Sequence, residues 1–341
     1  MELEATIDAV LKAFGLPPDG LAIERINAGH INRTYQVGQS HVLQRINKHV
    51  FRDPEILSEN LRGASAYLKH NAPGYLFLHA IKTPKGDQLV YDGDGFPWRL
   101  FPYIKNTVTI NEVGNARQAY AAARAFGLLA RHLSGCDVSG FSEAIPRFHD
   151  LSWRYRQFEE SLQKGTPERK ALAGGLIDRY VGHRHLVGKY NDLVQSHRLV
   201  LRPTHNDTKI NNVLFDRDSQ EVVCVIDLDT LMPGYFIYDL GDMVRSFVSP
   251  SAEDETDISK IEVRKEIHQA ILDGYLSEMG TVLTDGEKEA TPLAGPLMTY
   301  MIGLRFLTDF LNGDVYYHTS YPRKNLHRAM HQLYLLEKLG Q

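Results

Sequence analysis

The chain has 341 residues, 43% hydrophobic and 23% charged, with a formal net charge of −4. That size buries a large core and usually divides into two domains, while the interspersed acids and bases lack the concentrated positive field of a nucleic-acid binder, leaving small molecules or proteins as partners. Two cysteines, Cys136 and Cys224, are too few for a disulfide framework or metal cluster; both are expected in the core of a protein kept in a reducing compartment.

In chain order, "MELEATIDAVLKAFGL" has helical spacing at Ile7, Val10, Leu11 and Phe14. It lacks the basic start and continuous apolar run of a signal peptide, so no export is expected and the location is read as cytoplasmic. No later apolar run approaches the roughly 18 residues that a membrane span needs. From about 20 to 105 the pattern is one of short strands, "AIERINAG", "INRTYQVG", "HVLQRIN", "QLVYD" and "WRLFPYI", with one helical interval near 54–70. From about 112 it turns helical, with Tyr120, Ala123, Phe126, Ala130 and Leu133 on one face and further helical segments at 167–198, 257–279 and 293–312. A lobe boundary follows near 104–112, giving a sheet-rich lobe over 1–105 and a helical lobe over 106–341.

Within the helical territory, "THNDTKINNVLFDRDSQEVVCVIDLDT" (204–230) is an exception. "NNVLFD" and "EVVCVID" read as two short strands joined by a turn at "DRDSQ". Asp207 and Asn212 fall before and at the start of the first strand, and Asp227 ends the second. Carboxylates and an amide gathered this way make a poor core, because buried charge must be paired or bound to a cation. Three oxygen donors at the rim of a hairpin suit Mg2+, which keeps water or phosphate oxygens in its remaining positions.

The spacing His-x-Asp-x-x-x-x-Asn, carried by His205, Asp207 and Asn212 and followed by a strand ending in Ile226-Asp227, resembles the aminoglycoside phosphotransferase and choline kinase family of protein-kinase-like enzymes. More closely, "GHINRTYQV", "RFHD", "IDLDTLMPG", "YDLGDMVR" and "RFLTDFLNGDVYY" are similar to segments of the N-acetylhexosamine 1-kinases, over most of the chain. The resemblance implies an α+β, two-lobed protein-kinase-like fold that uses ATP and Mg2+ to phosphorylate an amino-sugar at its anomeric hydroxyl. It implies Asp207 as the residue that holds the acceptor hydroxyl and takes its proton, Asn212 and Asp227 as Mg2+ ligands, and His205 as a brace of the catalytic loop. Asp239 corresponds to the family's aspartate that caps a helix and buttresses that loop.

On the nucleotide side, the segment around Gly29, Asn32 and Thr34 takes the place of a glycine-rich loop, although one glycine is a weak match. The lysine expected on the third strand is missing; "HVLQRIN" offers Gln44 or Arg45 as phosphate anchor. Phe101, Tyr103 and Ile104 lead into the interlobe connection, where adenine is held by main-chain groups. On the acceptor side, the helix "GPLMTYMIGLRFLTDFLNG" is apolar nearly all round except at a few positions, including Arg305 and Asp309, one turn apart. These two either pair with each other or line the acceptor cleft; the resemblance favours contact with the sugar, together with His30 and Asp229. Asp150 reads as a helix N-cap, and His149 as a candidate near the acceptor. Other readings keep the fold and change the acceptor to an aminoglycoside, choline, homoserine or another hexose, or make the chain a pseudokinase. Arg305 disfavours a cationic acceptor. The oligomeric state has no signature in the sequence.

Overall fold

The computed structural model describes residues 2–17, 20–26 and 31–340. The chain forms two compact units: Met1–Val108 with Cys136–Pro146 and Leu214–Met232, and Thr109–Gly135 with Arg147–Val213 and Pro233–Gln341. The division is not a single cut in the chain, because the second unit returns two segments to the first.

In the first unit, helix α1 (Glu2–Ala13) precedes strands β1 (Ile23–Ile26), β2 (Arg33–Val37) and β3 (His41–Arg45), helix α2 (Pro54–Asn71), and strands β4 (Val90–Tyr91) and β5 (Pro97–Pro102). The sheet is antiparallel with strand order β1-β2-β3-β5-β4. The helical face expected in the first residues is the buried one: Ile7, Val10, Leu11 and Phe14 pack on Tyr35, Val37, Leu43, Trp98 and Leu100. Alternation along β5 sends Trp98 and Leu100 into that core and Arg99 to the opposite face. Register sets Thr34 opposite Gln44, and Gln44 opposite Arg99.

One residue explains why the returning segments join this unit. Asn60 lies in the buried stripe of α2. Its Nδ2 donates to the carbonyls of Ser142 (2.8 Å) and Leu231 (3.0 Å), and its Oδ1 accepts from the Ser142 N–H (3.0 Å). The expected hairpin is present as Val213–Asp216 and Val222–Val225. Its turn is held by Asp216, whose Oδ1 accepts from the backbone of Asp218 and Ser219.

The second unit is helical: α3 (Ala116–Leu133), α4 (Leu151–Lys164), α5 (Pro167–Gly182), α6 (His185–Gln195), α7 (Phe236–Phe247), α8 (Lys265–Met279), α9 (Asp285–Ala290), α10 (Ala294–Leu311) and α11 (Lys324–Leu339). Helices α3 and α8 cross at two glycines. A Cβ on Gly127 would lie 2.8 Å from the Tyr275 carbonyl, and one on Gly274 would lie 2.4 Å from the Tyr120 carbonyl. Two expected helices are shorter than their patterns. The 167–198 segment breaks between α5 and α6 at His183 and Arg184. Residues 257–264 stay outside α8 because the Asp257 carboxylate accepts from the Ser259 N–H (3.1 Å), a local bond that competes with helix formation. Among the described residues no helix is long and apolar enough to cross a membrane.

Candidate active site

The loop that follows the short strand Arg202–Thr204 is built from its backbone outward. Asp239, in the first turn of α7 and 1% exposed, accepts from the N–H groups of His205 (3.1 Å) and Asn206 (2.7 Å), while the Thr208 hydroxyl donates to its carbonyl (2.7 Å). Burial raises the Asp239 pKa to about 6, against the pull of His205 and those N–H groups. His149 donates from Nε2 to the Asn206 carbonyl (2.9 Å), so its Nδ1 carries the lone pair. Burial, reinforced by the charge of Arg305, holds that imidazole neutral. Asn206 adopts φ +63°. Behind the loop, a Cβ on Gly234 would lie 2.1 Å from Thr204 Oγ1 and 2.7 Å from Asn206 Oδ1, so only glycine fits there.

This frame presents Asp207. Its Oδ1 lies 2.9 Å from Lys209 Nζ, and its Oδ2 accepts from Asn212 Nδ2 (3.1 Å). Burial pushes the carboxyl up, but the Lys209 ammonium, helped by His205 and Arg245, outweighs it and holds the pKa at about 2. Asn212, at the end of the turn Ile210–Asn212, spends Nδ2 on the Asp207 carbonyl (2.8 Å) and carboxylate. Its Oδ1 is therefore the amide atom left to ligate a cation. Next to this pair, the Arg245 guanidinium is 2.7 Å from Asp242 and 2.9 Å from Glu253. Asp242, to which the sequence assigned no role, thus helps neutralise a buried arginine.

In the first unit, Asp227 sits in the left-handed region (φ +57°) just before the 3₁₀ turn Leu228–Thr230. It lies two residues past the strand that it was expected to end. Asp229, within that turn, has both oxygens engaged: Arg99 Nη2 donates to Oδ1, and Asn32 Nδ2 donates to Oδ2 (2.6 Å). Asn32 Oδ1 in turn accepts from the Asn47 N–H (2.9 Å), and Thr34 Oγ1 accepts from Gln44 Nε2 (3.3 Å). Gly29 and His30 lie outside the described residues. Among the described residues no group of three or more His, Cys, Asp or Glu forms a metal cage. A donor set of hard oxygens with few protein ligands fits Mg2+ shared with phosphate rather than a closed structural site.

The structure corrects several expectations. Arg45 is not open to a phosphate: it lies 3.3 Å from Asp92 and stacks 3.6 Å from the Phe96 ring centroid. Arg305 and Asp309 do not pair. Asp309 accepts from the N–H groups of Val315 (3.0 Å), Tyr316 (2.8 Å) and Tyr317 (2.9 Å) and from Asn325 Nδ2 (2.9 Å), which fills both oxygens. It shapes the loop after α10. Arg305, 7% exposed, stacks 4.6 Å from the Phe148 ring centroid. Cys136 is only half-buried, unlike Cys224. Asp150 caps α4 as expected, accepting from the Trp153 N–H (2.9 Å). Of the main-chain groups proposed for adenine, the Tyr103 N–H goes to Ser40 (2.8 Å) and the Ile104 carbonyl to the Thr107 hydroxyl (2.7 Å). The Tyr103 carbonyl and Ile104 N–H enter neither bond.

Arg99 and Lys209 were missed. Lys209 had a local signal, a cation two residues after the Asp207 carboxylate. Arg99 had none, because its role depends on β3 pairing with a strand far along the chain.

The family model described as "Phosphotransferase enzyme family" matches residues 22–277. Among solved structures, a microcompartment-associated aminopropanol kinase is 16% identical, with TM-score 0.62, covering 98% of this chain and 96% of its own. An amicoumacin kinase solved with AMP-PNP and Ca2+ is 15% identical, with TM-score 0.65 and coverages of 99% and 94%. The Plasmodium vivax ethanolamine kinase is 13% identical, with TM-score 0.56 and coverages of 92% and 82%. These likenesses establish the fold as protein-kinase-like, with a small antiparallel-sheet unit and a larger helical unit.

Proposed function

The chain belongs to the phosphotransferase enzyme family, and from that premise we propose that it transfers the γ-phosphoryl group of ATP to the anomeric hydroxyl of an N-acetylhexosamine, N-acetylglucosamine or N-acetylgalactosamine, giving the sugar 1-phosphate. The observation that carries the acceptor class is charge. Aminopropanol and ethanolamine, named for two of the similar structures, are amines, and a cationic acceptor calls for open carboxylates or an aromatic cage. The cleft lined by Arg154, Gln157, Arg305, Thr308, Tyr316 and Tyr317 brings two guanidiniums together. Burial, then the neighbouring Arg305 charge, lowers the Arg154 pKa to about 10. Of the carboxylates on that lining, Asp309 is filled by backbone N–H groups, and Glu160 is exposed at the rim, 3.2 Å from Lys164, which is itself on the lining. Such a cleft repels an ammonium and suits hydroxyl and amide oxygens, in line with the resemblance to N-acetylhexosamine kinases.

In this reading Asp207 orients the acceptor hydroxyl and receives its proton as the acceptor oxygen bonds to phosphorus and the ADP oxygen departs. Lys209 holds this carboxyl ionised, and its contribution is chiefly positioning, which is what a loose phosphoryl-transfer transition state asks for. By the family resemblance Asn212 Oδ1 and Asp227 would each ligate Mg2+, which would neutralise phosphate charge. The Tyr103 carbonyl and Ile104 N–H receive the adenine edge. Arg305 donates to acceptor oxygens.

ADP release measured against a panel of N-acetylhexosamines, simple hexoses, choline, ethanolamine, aminopropanol and aminoglycosides tests the proposal. Turnover is expected with the N-acetylhexosamines. Turnover with the amines and none with the sugars would overturn it.

A further inference from the structure

The third strand lacks a free cation for the nucleotide phosphates: Arg45 is held by Asp92 and Phe96, and Gln44 is uncharged. The face of the sheet that carries Gln44 nevertheless holds one. Arg99, directly opposite Gln44 in the register and 3% exposed, donates from Nε to Gln44 Oε1 (2.9 Å) and from Nη2 to both Gln44 Oε1 and Asp229 Oδ1. Its plane lies over the Phe101 ring, 4.9 Å from the centroid. The guanidinium is thus fixed by two neighbours and a ring, while Nη1 makes no hydrogen bond among the described residues.

Neutralising Asp229 requires only the Nη2 edge. With Nε and Nη2 engaged, Nη1 keeps two N–H donors on a fixed, charged group, which phosphate oxygens can accept. The surroundings indicate which phosphate. Asp229 follows Asp227, the proposed cation ligand, by two residues in one turn. The strand that carries Arg99 runs on toward Tyr103 and Ile104, about 13 and about 17 Å away at about 3.3 Å per residue, a span on the scale of an extended nucleoside triphosphate.

We propose that Arg99, reaching from β5 and braced by Gln44 and Asp229, is the phosphate-anchoring cation of the nucleotide site, donating through Nη1 to the phosphate chain of a nucleoside triphosphate. This assigns Asp229 to holding Arg99 and Asn32 instead of contacting the sugar. The inference rests on the kinase reading above.

Titration calorimetry of the full chain with Mg2+ and ATP, ADP or adenosine separates phosphate contact from a structural brace. Arg99→Gln is expected to weaken ATP binding at least tenfold while adenosine affinity stays within twofold, with the acceptor KM unchanged. Should that variant fail to fold, Arg99→Lys keeps the charge without the fork, and is expected to weaken ATP at least threefold with adenosine again unchanged. ATP and adenosine weakening in parallel, or ATP affinity equal to that of the parent, would overturn the inference while the kinase reading stands. A parent protein that binds neither ligand would overturn both.

Discussion

Arg305→Met isolates the acceptor contact. The methionine keeps an unbranched stem of similar length and removes the charge and the donors. Two losses compete in the folded protein. The guanidinium lies 4.6 Å from the Phe148 centroid and 5.6 Å from that of Tyr317, contacts worth about 0.5 to 2 kcal/mol. No carboxylate is stranded, because Asp309 is saturated by three N–H groups and Asn325, and relief of the repulsion on Arg154 offsets part of the cost. At roughly 2 to 4 °C per kcal/mol for a unit of this size, the thermal midpoint should fall by about 1 to 8 °C, and by less where the relief of Arg154 offsets it. Breaking a buried ion pair would instead cost about 3 to 5 kcal/mol. The acceptor side loses a charged hydrogen bond of about 1.5 to 3 kcal/mol, roughly a tenfold to hundredfold fall in kcat/KM toward N-acetylglucosamine. Scanning fluorimetry with steady-state kinetics reads both quantities. Unchanged sugar kinetics, or a midpoint lowered by more than about 8 °C, would rule out Arg305 as an acceptor contact.

Three further outcomes follow from the same geometry. Asp207→Asn should abolish turnover and leave ATP affinity within a few-fold of the parent, since the carboxylate acts on the acceptor; retention of most activity removes it from the mechanism. Asp227→Ala should weaken calorimetric binding of Mg2+ with ATP as well as the rate, and unchanged binding would count against its role as a ligand. Glu287 is fully buried, bonded to Arg202 at 2.5 and 2.9 Å, and caps α9. Burial raises its pKa, but Arg202 and two N–H groups win and leave it lowered. Its stabilisation is therefore present above the ordinary glutamate pKa of about 4.3 and lost as pH falls through the lower folded value. Glu287→Gln should lower stability at pH 7 and flatten the acid limb of the unfolding curve; an acid limb parallel to the parent's would show that the pair contributes nothing.

Local pattern carried much of this structure. Alternation placed the strands of the first unit, and the 3.6-residue period gave the buried faces of α1 and α3, except that Tyr120, expected on the buried face of α3, is 40% exposed. The His-x-Asp-x-x-x-x-Asn spacing indicated the loop where the structure brings Asp207 and Asn212 together. What the sequence hid depends on separation along the chain. The pairing of β3 with β5 crosses α2, so the missing cation stood on a strand that no window containing Gln44 includes. Asn60 looks like an ordinary polar residue in a helix until the Ser142 and Leu231 carbonyls meet it. Arg305 and Asp309 are one turn apart, the spacing of an ion pair, but backbone N–H groups from 315–317 claim the carboxylate first. Helices α7, α9 and α11 went unmarked; α7 buries Asp239, Asp242 and Arg245 along with its apolar residues, charges that a sequence pattern assigns to solvent.

The central claim is transfer of phosphate to the anomeric oxygen of an N-acetylhexosamine. Phosphorus NMR of a reaction containing ATP, Mg2+ and N-acetylglucosamine tests it most directly. A new phosphomonoester signal coupled to the anomeric proton is expected, appearing as the ATP γ-phosphate signal decays and absent with Asp207→Asn. A signal coupled to the C6 protons, or ATP consumed only when an amine replaces the sugar, would contradict it.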